Sequence, residues 1–440
     1  MNILLLNTYD AGGGAENAAR DLLRAYRDLG HDARLLVRHE RGNDAYVQRL
    51  DPYAGTFFWG QWCAALEDWL DKRPAFPGKF RLMDWLRRTA HPQRWLDHLS
   101  GADDFTYPAS RGLLADPWTP DAIHAHNLHG DYFDMRAFES LGQRVPIVWT
   151  LHDTWAFTGH CGHFLECDRW RIGCGHCPDL KRPPGILRDA TAKNFRAKRQ
   201  IYARSNFAVA TPSRWLMSFV EQSILKDKER RVIPNGVDLS VFHPGDQRAA
   251  RRELGLRKGD FICLYVSSFG AAANPYKDFA TVARAVELLR AANADIFFVC
   301  MGGARESRGT NSLETGFVHD PKRVAGYYRA ADVLLHAANA ENFPSVILEA
   351  MACGTAVVAT AVGGIGEQIT DGETGAAVPK NDAEAMAGRV LQWVADPARR
   401  AEVGRAAAIR VRENFDLKLQ ASRYVDWFET LVKSFRHAKL

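Results

Sequence analysis

No window of the chain approaches ~20 uninterrupted apolar residues, so a membrane-spanning helix is not expected. The N-terminal run MNILLLNTYD is short, lacks a charged leader and turns at once into glycines, so it reads as a first strand rather than a signal peptide. Neither charge dominates: 57 Lys+Arg against 52 Asp+Glu leave +5, too little to supply the concentrated basic face of a nucleic-acid binder. Cysteine is scarce, at 8 residues, and only four of them crowd together. That is no secreted disulfide framework, and a reducing, cytoplasmic compartment is expected. Low-complexity segments are also missing.

What is present is enough apolar material for two cores: 440 residues with 46% hydrophobic content. Short apolar runs alternate with helical patterns. NILLLN, a helix from about Ala15 to Leu29, ARLLVR, DAIHAH, PIVWTL and FAVAT form a first series. FICLYVS, a helix from about Phe279 to Ala292, DIFFVCM, ADVLLHA, a helix from about Val346 to Cys353 and TAVVAT form a second. Runs of this length between helices indicate parallel sheets covered on both faces. The expected class is α/β, with two Rossmann-like doubly wound domains facing across a cleft. The Pro234-Asn235-Gly236 turn and Pro244 mark the hinge, giving domains 1–232 and 233–416, with a helix over 417–440 crossing back to the first. A tryptophan-rich segment, 56–99, reads as a helical insertion ending in Lys79, Arg81, Arg87, Arg88 and Arg94.

The segment NAENFPSVILEAMACGTAVVATAVGGIGEQI carries the most chemistry. Glu341 sits in a loop after a buried strand, and Glu349 follows on the next helix, a spacing that brings two carboxylates to one ligand. A carboxylate accepts hydrogen bonds from neighbouring hydroxyls. Asn342-Phe343-Pro344-Ser345 opens the helix, where backbone N–H groups and the helix dipole meet a phosphate. An isolated pair of this kind is usually just first-turn acid, so the surrounding segment has to carry the reading.

That segment strongly resembles family 4 of the retaining glycosyltransferases, of the GT-B fold. Further pieces stand in the family's order: Gly12-Gly13-Gly14-Ala15-Glu16, Thr211 to Leu216, Ile233 to Asp238, and Gly316-Phe317-Val318 before Tyr327-Tyr328. The resemblance covers nearly the whole chain, and its motifs are specific only together. It implies that Glu349 holds the ribose hydroxyls and Glu341 a hydroxyl of the transferred sugar. The Asn342, Phe343, Pro344 and Ser345 amides would face the distal phosphate or sugar, Phe317 and Val318 would line the base, and Lys277 would offset charge on the leaving diphosphate. A solvated helix-start cation is the other reading of Lys277. Family members carry an arginine a few residues before that lysine, and Val266-Ser267-Ser268-Phe269 offers none. Gly12, Gly13 and Gly14 permit close backbone approach near the diphosphate or acceptor, with Glu16 capping or supporting the loop. G-G-G by itself is equally a tight turn.

His152, at the end of strand PIVWTL, resembles the histidine that the family places beside the reacting sugar, with His126 and His129 as weaker candidates. A lone histidine there is more often structural. The resemblance implies front-face attack with retention, in which the departing phosphate oxygen takes the acceptor's proton. No Asp-x-Asp triad stands in a suitable loop, so no catalytic metal is expected. The expected partners are a UDP- or GDP-linked sugar and a saccharide or lipid-linked saccharide acceptor.

Cys161, Cys167, Cys174 and Cys177 form C-x5-C-x6-C-x2-C, with His160, His163 and His176 interleaved. Four thiolates can close a structural zinc site; an iron–sulfur cluster, two disulfides and plain buried thiols are the competing readings. The surrounding H-D-T-W-A-F-T-G-H-C resembles transferases of bacterial exopolysaccharide and colanic-acid assembly. From Lys181 to Arg204, basic residues alternate with Phe195, Ile201 and Tyr202, a pattern that suits peripheral contact with an anionic bilayer or an ordinary solvated face. Two rival functions remain: a sugar-nucleotide epimerase on the same twin-Rossmann plan, and an inactive nucleotide-sugar-binding scaffold.

Overall fold

The computed structural model describes residues 1–51, 58–71, 73, 76–114, 118–266, 274–292, 295–303 and 306–437. Thr56, in the expected insertion, and Ser267 to Phe269, where the family's arginine is missing, lie outside the described residues. The chain divides into two units: Met1–Thr211, Met217–Val232 and Val425–Leu440 form one, Pro212–Leu216 and Ile233–Tyr424 the other. Pro212–Leu216, expected in the first domain, thus sits in the second unit, and the first turns of the final helix, Leu417–His437, are counted there too.

The first unit is built on seven parallel strands: β1 (Asn2–Tyr9), β2 (Asp32–His39), β3 (Val47–Arg49), β4 (Ala122–Ala125), β5 (Ile147–Thr150), β6 (Ala208–Thr211) and β7 (Arg230–Val232). Their order is β3-β2-β1-β4-β5-β6-β7. β4, β5 and β6 are buried at every position, as strands covered on both faces must be. The helix Gly14–Asp28 buries Ala19, Leu22, Leu23 and Tyr26, a stripe with helical spacing, and left-handed Gly30 (φ 85°) follows its end. The end of the final helix closes over this unit. Trp427, fully buried, donates to Glu229 (2.6 Å), and Phe428 packs edge-on against Tyr26 and His124, with centroids 6.0 and 5.5 Å apart.

The tryptophan-rich segment forms three helices, Phe58–Asp71, Lys79–Thr89 and Pro92–Ser100. Their shared core is small: Cys63, Leu70, Met83, Leu86 and Ala90. It is riveted to β2 by Arg38, which pairs with Glu67 at 2.7 Å with both side chains nearly inaccessible. Lys79 and Arg94 are themselves buried; Arg94 donates to Thr106 O (2.5 Å) and pairs with Asp104.

The second unit repeats the plan with β8 (Phe261–Val266), β9 (Ile296–Met301), β10 (Ser307–Arg308), β11 (Ser312–Thr315), β12 (Val333–His336), β13 (Ala356–Thr360) and β14 (Ala376–Val378). The order is β10-β11-β9-β8-β12-β13-β14, parallel except for the β10–β11 pair. Asp332 anchors the amino end of β12, accepting from Ile262 N (2.7 Å) and Arg251 (2.6 Å) while pairing with Arg400. Among the described residues no helix is long and apolar enough to cross a membrane.

Candidate active site

In an open α/β sheet, ligands bind outside the carboxyl ends of the strands, where the strand order reverses. In the first unit that point lies between β1 and β4, and the sequence candidates gather there. The glycine loop follows β1; His126 and His129 follow β4, and His152 and Asp153 follow β5. Nδ1 of His126 is 2.9 Å from Nε2 of His152, with the rings stacked at 5.3 Å. Beneath them, buried His124 links the Tyr26 hydroxyl (3.0 Å) to the Thr150 hydroxyl (2.8 Å). Burial pushes the pKa of His124 down to about 3, that of His152 to about 4, and that of His126 well below the ordinary imidazole value. All three are neutral near pH 7.

His129 behaves oppositely. Burial alone would lower its pKa, but Asp153, 3.0 Å from its Nε2, outweighs that and raises it. For Asp153, burial would raise the pKa, and His129 reverses the direction. The two form an ion pair beside Glu16. Glu16 is pushed up by burial, opposed by its own backbone N–H, His129 and Arg41. A Cβ on Gly13 would collide with the Glu16 carboxylate, and one on Gly12, at φ 120°, with the Arg41 guanidinium. Gly14 faces open space. Arg41, fixed by its N–H to Asp10 (2.7 Å) and lying 4.1 Å over the Tyr9 ring, escaped sequence reading because it comes from the loop after β2 and carries no motif.

In the second unit the order reverses between β8 and β12. Lys277 bridges to Ala338 through the backbone, and its ammonium pairs directly with the Glu341 carboxylate. The solvated-cation reading of Lys277 is thereby corrected. Burial would raise the pKa of Glu341, but Lys277 and buried His336, 3.5 Å away, bring it down to about 2. His336, at the carboxyl end of β12, also went unnoticed in the sequence, where an isolated histidine in a strand has no signature. Glu349 accepts from the hydroxyl of fully buried Tyr328 at 2.7 Å.

The loop between the two glutamates is held by its glycines and by the T-P-S-R-W-L motif. Gly364 N donates to Asn342 O (2.9 Å), and a Cβ on Gly363 or Gly364 would run into the Glu341 or Asn342 carbonyl. Ser213 donates to Asn342 Oδ1 (2.6 Å), while Glu367 accepts from Arg214 N and Trp215 N, both at 2.9 Å. The expected set of amides over Asn342 to Ser345 needs one correction. Pro344 has no N–H to offer; it is the N-cap of the helix Ser345–Ala352, and its carbonyl accepts from Gln368 at 3.0 Å. The Phe343 side chain is core, edge-on to Phe415 at 5.6 Å. Phe317 is 44% exposed, with its ring 4.7 Å from that of His319, and Val318 packs on the core, so of the two Phe317 is the more accessible.

Cys161, Cys167, Cys174 and Cys177 line one cavity, and all are free thiols. In the basic stretch, Phe195, Ile201 and Tyr202 turn into the core. Lys198 is fully buried, bonded to Trp155 O and Thr158 O (2.9 and 3.2 Å) and paired with Asp103. The three apolar residues of that helix therefore face inward, away from any surface contact.

Two parallel-sheet units with these loops at their carboxyl edges define a GT-B glycosyltransferase fold. The family description "Glycosyltransferase Family 4" matches residues 12–241, more than half of the chain, and "Glycosyl transferases group 1" matches 246–410. The chain belongs to glycosyltransferase family 4, and the epimerase alternative falls away. It is 34% identical over 198 residues to a D-inositol 3-phosphate glycosyltransferase of Arthrobacter sp., covering 41% of this chain and 45% of that one. To the Kribbella flavida enzyme of the same description it is 33% identical over 314 residues, covering 64% and 72%. Identity to WcaC of Escherichia coli, described as a "Putative colanic acid biosynthesis glycosyl transferase", is 25%, covering 55% and 60%. The chain thus matches less than half the length of the Arthrobacter relative and under two thirds of WcaC. Sucrose-phosphate synthase of Thermosynechococcus elongatus shares the fold with TM-score 0.67 at 20% identity, covering 98% and 99%. HepE of Anabaena, solved with UDP and glucose, does so with TM-score 0.58 at 18% identity, covering 97% and 99%.

Proposed function

We propose that the chain transfers a glycosyl group, with retention and without a catalytic metal, from a UDP- or GDP-linked sugar to a saccharide or lipid-linked saccharide acceptor. The observation that carries this is the Lys277–Glu341 pair, held between β8 and β12 at the reversal point of the second sheet. A donor hydroxyl takes over Glu341 while the diphosphate draws Lys277, so the charges separated on binding are recompensed by the ligand. Glu349, oriented by Tyr328, holds the ribose, and Phe317 offers its face to the base. In the first unit, His152, neutral and backed by His126, is the group suited to hydrogen-bond a sugar hydroxyl without adding charge. The departing phosphate oxygen takes the acceptor's proton, so positioning and electrostatics carry the catalysis.

The Anabaena neighbour's UDP complex favours UDP as leaving group, and the WcaC likeness favours cell-surface polysaccharide assembly. A cytoplasmic location with peripheral membrane contact fits a lipid-linked acceptor. The tryptophan-rich insertion suits that contact, because 10 of the 17 exposed large hydrophobics among the described residues fall between Phe58 and Leu99. The test is to supply UDP- and GDP-sugars with saccharide and lipid-linked acceptors, follow nucleoside diphosphate release, and read the product's anomeric configuration by NMR. Acceptor-dependent release with retained configuration supports the proposal; binding of nucleotide sugar without turnover across the acceptors favours the scaffold.

A further inference from the structure

Between β5 and the helix Thr191–Arg204 runs a stretch of 40 residues, 151–190, whose regular structure amounts to two short 3-10 turns, Trp155–Phe157 and Arg169–Arg171. Coil of that length inside a packed unit is uncommon and needs something besides backbone pairing to hold it. Part of the hold is aromatic: Phe157, Phe164 and Trp170 cluster with centroids 5.4 to 6.5 Å apart. The rest of the segment wraps a cavity of about 20 Å3, lined by all four clustered cysteines and by His160. Such a space admits one water or one ion, not a side chain.

The backbone is bent to bring the sulfurs there. Gly173, Cys174, Gly175 and His176 all have positive φ (105°, 59°, 86° and 50°), a run of left-handed residues that is costly at the two non-glycines. It folds Cys174 and Cys177 back onto the same space as Cys161 and Cys167. Nδ1 of His160 is 2.9 Å from Pro184 O, which can only accept, so the proton sits on Nδ1 and the Nε2 lone pair faces Cys177 Sγ at 3.3 Å. Among the described residues no group of three or more His, Cys, Asp or Glu side chains already stands ready to hold a metal ion. Zinc binding here therefore requires the four thiols to draw together around the ion.

We propose that this cavity binds one zinc ion through Cys161, Cys167, Cys174 and Cys177, with Arg182 beside it offsetting the charge. Four sulfurs and no open position make it a structural site, and soft thiolates select zinc over harder cations. On binding, four S–H bonds break and four S–Zn bonds form. The four protons leave to solvent. Arg182, anchored to Phe164 O at 2.7 Å, faces Cys161 and Cys177 electrostatically. The ion fixes the segment that leaves β5 at His152 and Asp153. Thr154 N donates to Gly162 O (2.9 Å), tying that departure to the cysteine loop.

Native mass spectrometry and elemental analysis of the full chain, made without an affinity tag, test this directly. The expected result is one zinc per chain, retained in Cys63→Ser and reduced at least tenfold in Cys167→Ser and Cys174→Ser. Because those variants can misfold, the wild type provides a second reading: chelator treatment releases the zinc, four further thiols become reactive, and added zinc restores their protection. A mass deficit of paired hydrogens without metal, stoichiometric iron with sulfide, or a reduced chain that takes up no zinc would each overturn the proposal.

Discussion

Nδ1 of His126 stands 2.9 Å from Nε2 of His152, so one imidazole fixes the tautomer and tilt of the other at the carboxyl edge of the first sheet. Replacing His126 with Leu removes that support while leaving His152 in place. The expected effect is a loss of about tenfold in kcat, roughly one hydrogen bond's contribution of ~1.4 kcal/mol, with the donor KM little changed. A loss confined to KM would show that the pair does not orient His152 for the chemical step.

Acid should destabilise the first unit in a definite window. His124, with a folded pKa of about 3, binds its proton more readily when unfolded. Its contribution is complete above about pH 6.5 and is lost toward pH 3, at ~1.4 kcal/mol per pH unit. Glu341, held at about 2, contributes above pH 4.5 and loses that contribution only as pH falls toward 2. Thermal melts between pH 7 and 5 should therefore report the histidines, and His124→Gln should flatten the profile from about pH 6.5 down to pH 3 while the Glu341 loss below pH 4.5 remains.

Lys277→Met leaves Glu341 largely buried without its strongest partner. A stability loss of about 1–3 kcal/mol is expected, because an uncompensated carboxylate remains. Adding Glu341→Gln should recover most of that stability and none of the activity, which chemical denaturation and turnover assays of the single and double variants would separate. Recovery of activity in the double variant would mean that the pair serves folding alone.

Tyr328→Phe deletes one hydrogen bond to Glu349 and little else. Donor KM should rise about fivefold, near 1 kcal/mol, with kcat nearly unchanged. Trp427→Ala should instead cost about 3–5 kcal/mol of stability, since it empties a fully buried site under the final helix and leaves Glu229 without its indole donor; the midpoint of urea unfolding reads this.

The two-sheet plan was legible because fully buried strands such as β4, β5 and β13 read as mostly apolar runs, and the helix Phe279–Ala292 ended where its pattern did. β3, β7, β10 and β14 were not legible: at two or three residues they are too short to show any period. Motif residues could be found from order along the chain, but their partners could not. His336 and Tyr328 reach Glu341 and Glu349 from other elements, and Lys198 counted as a surface cation until tertiary packing placed it beneath Trp155. Pro344 shows the opposite error, where membership in a motif suggested an amide contact from a residue that has no N–H.

The most direct test of the donor site is calorimetric titration of UDP, GDP and ADP into wild type and Glu349→Ala. One nucleotide should bind with a Kd within about 1 μM to 1 mM, and the variant should bind it at least tenfold more weakly, a difference of ~1.4 kcal/mol. A folded wild type that binds none of the three, or a variant that binds as well as wild type, would contradict the placement of the nucleotide at Glu349.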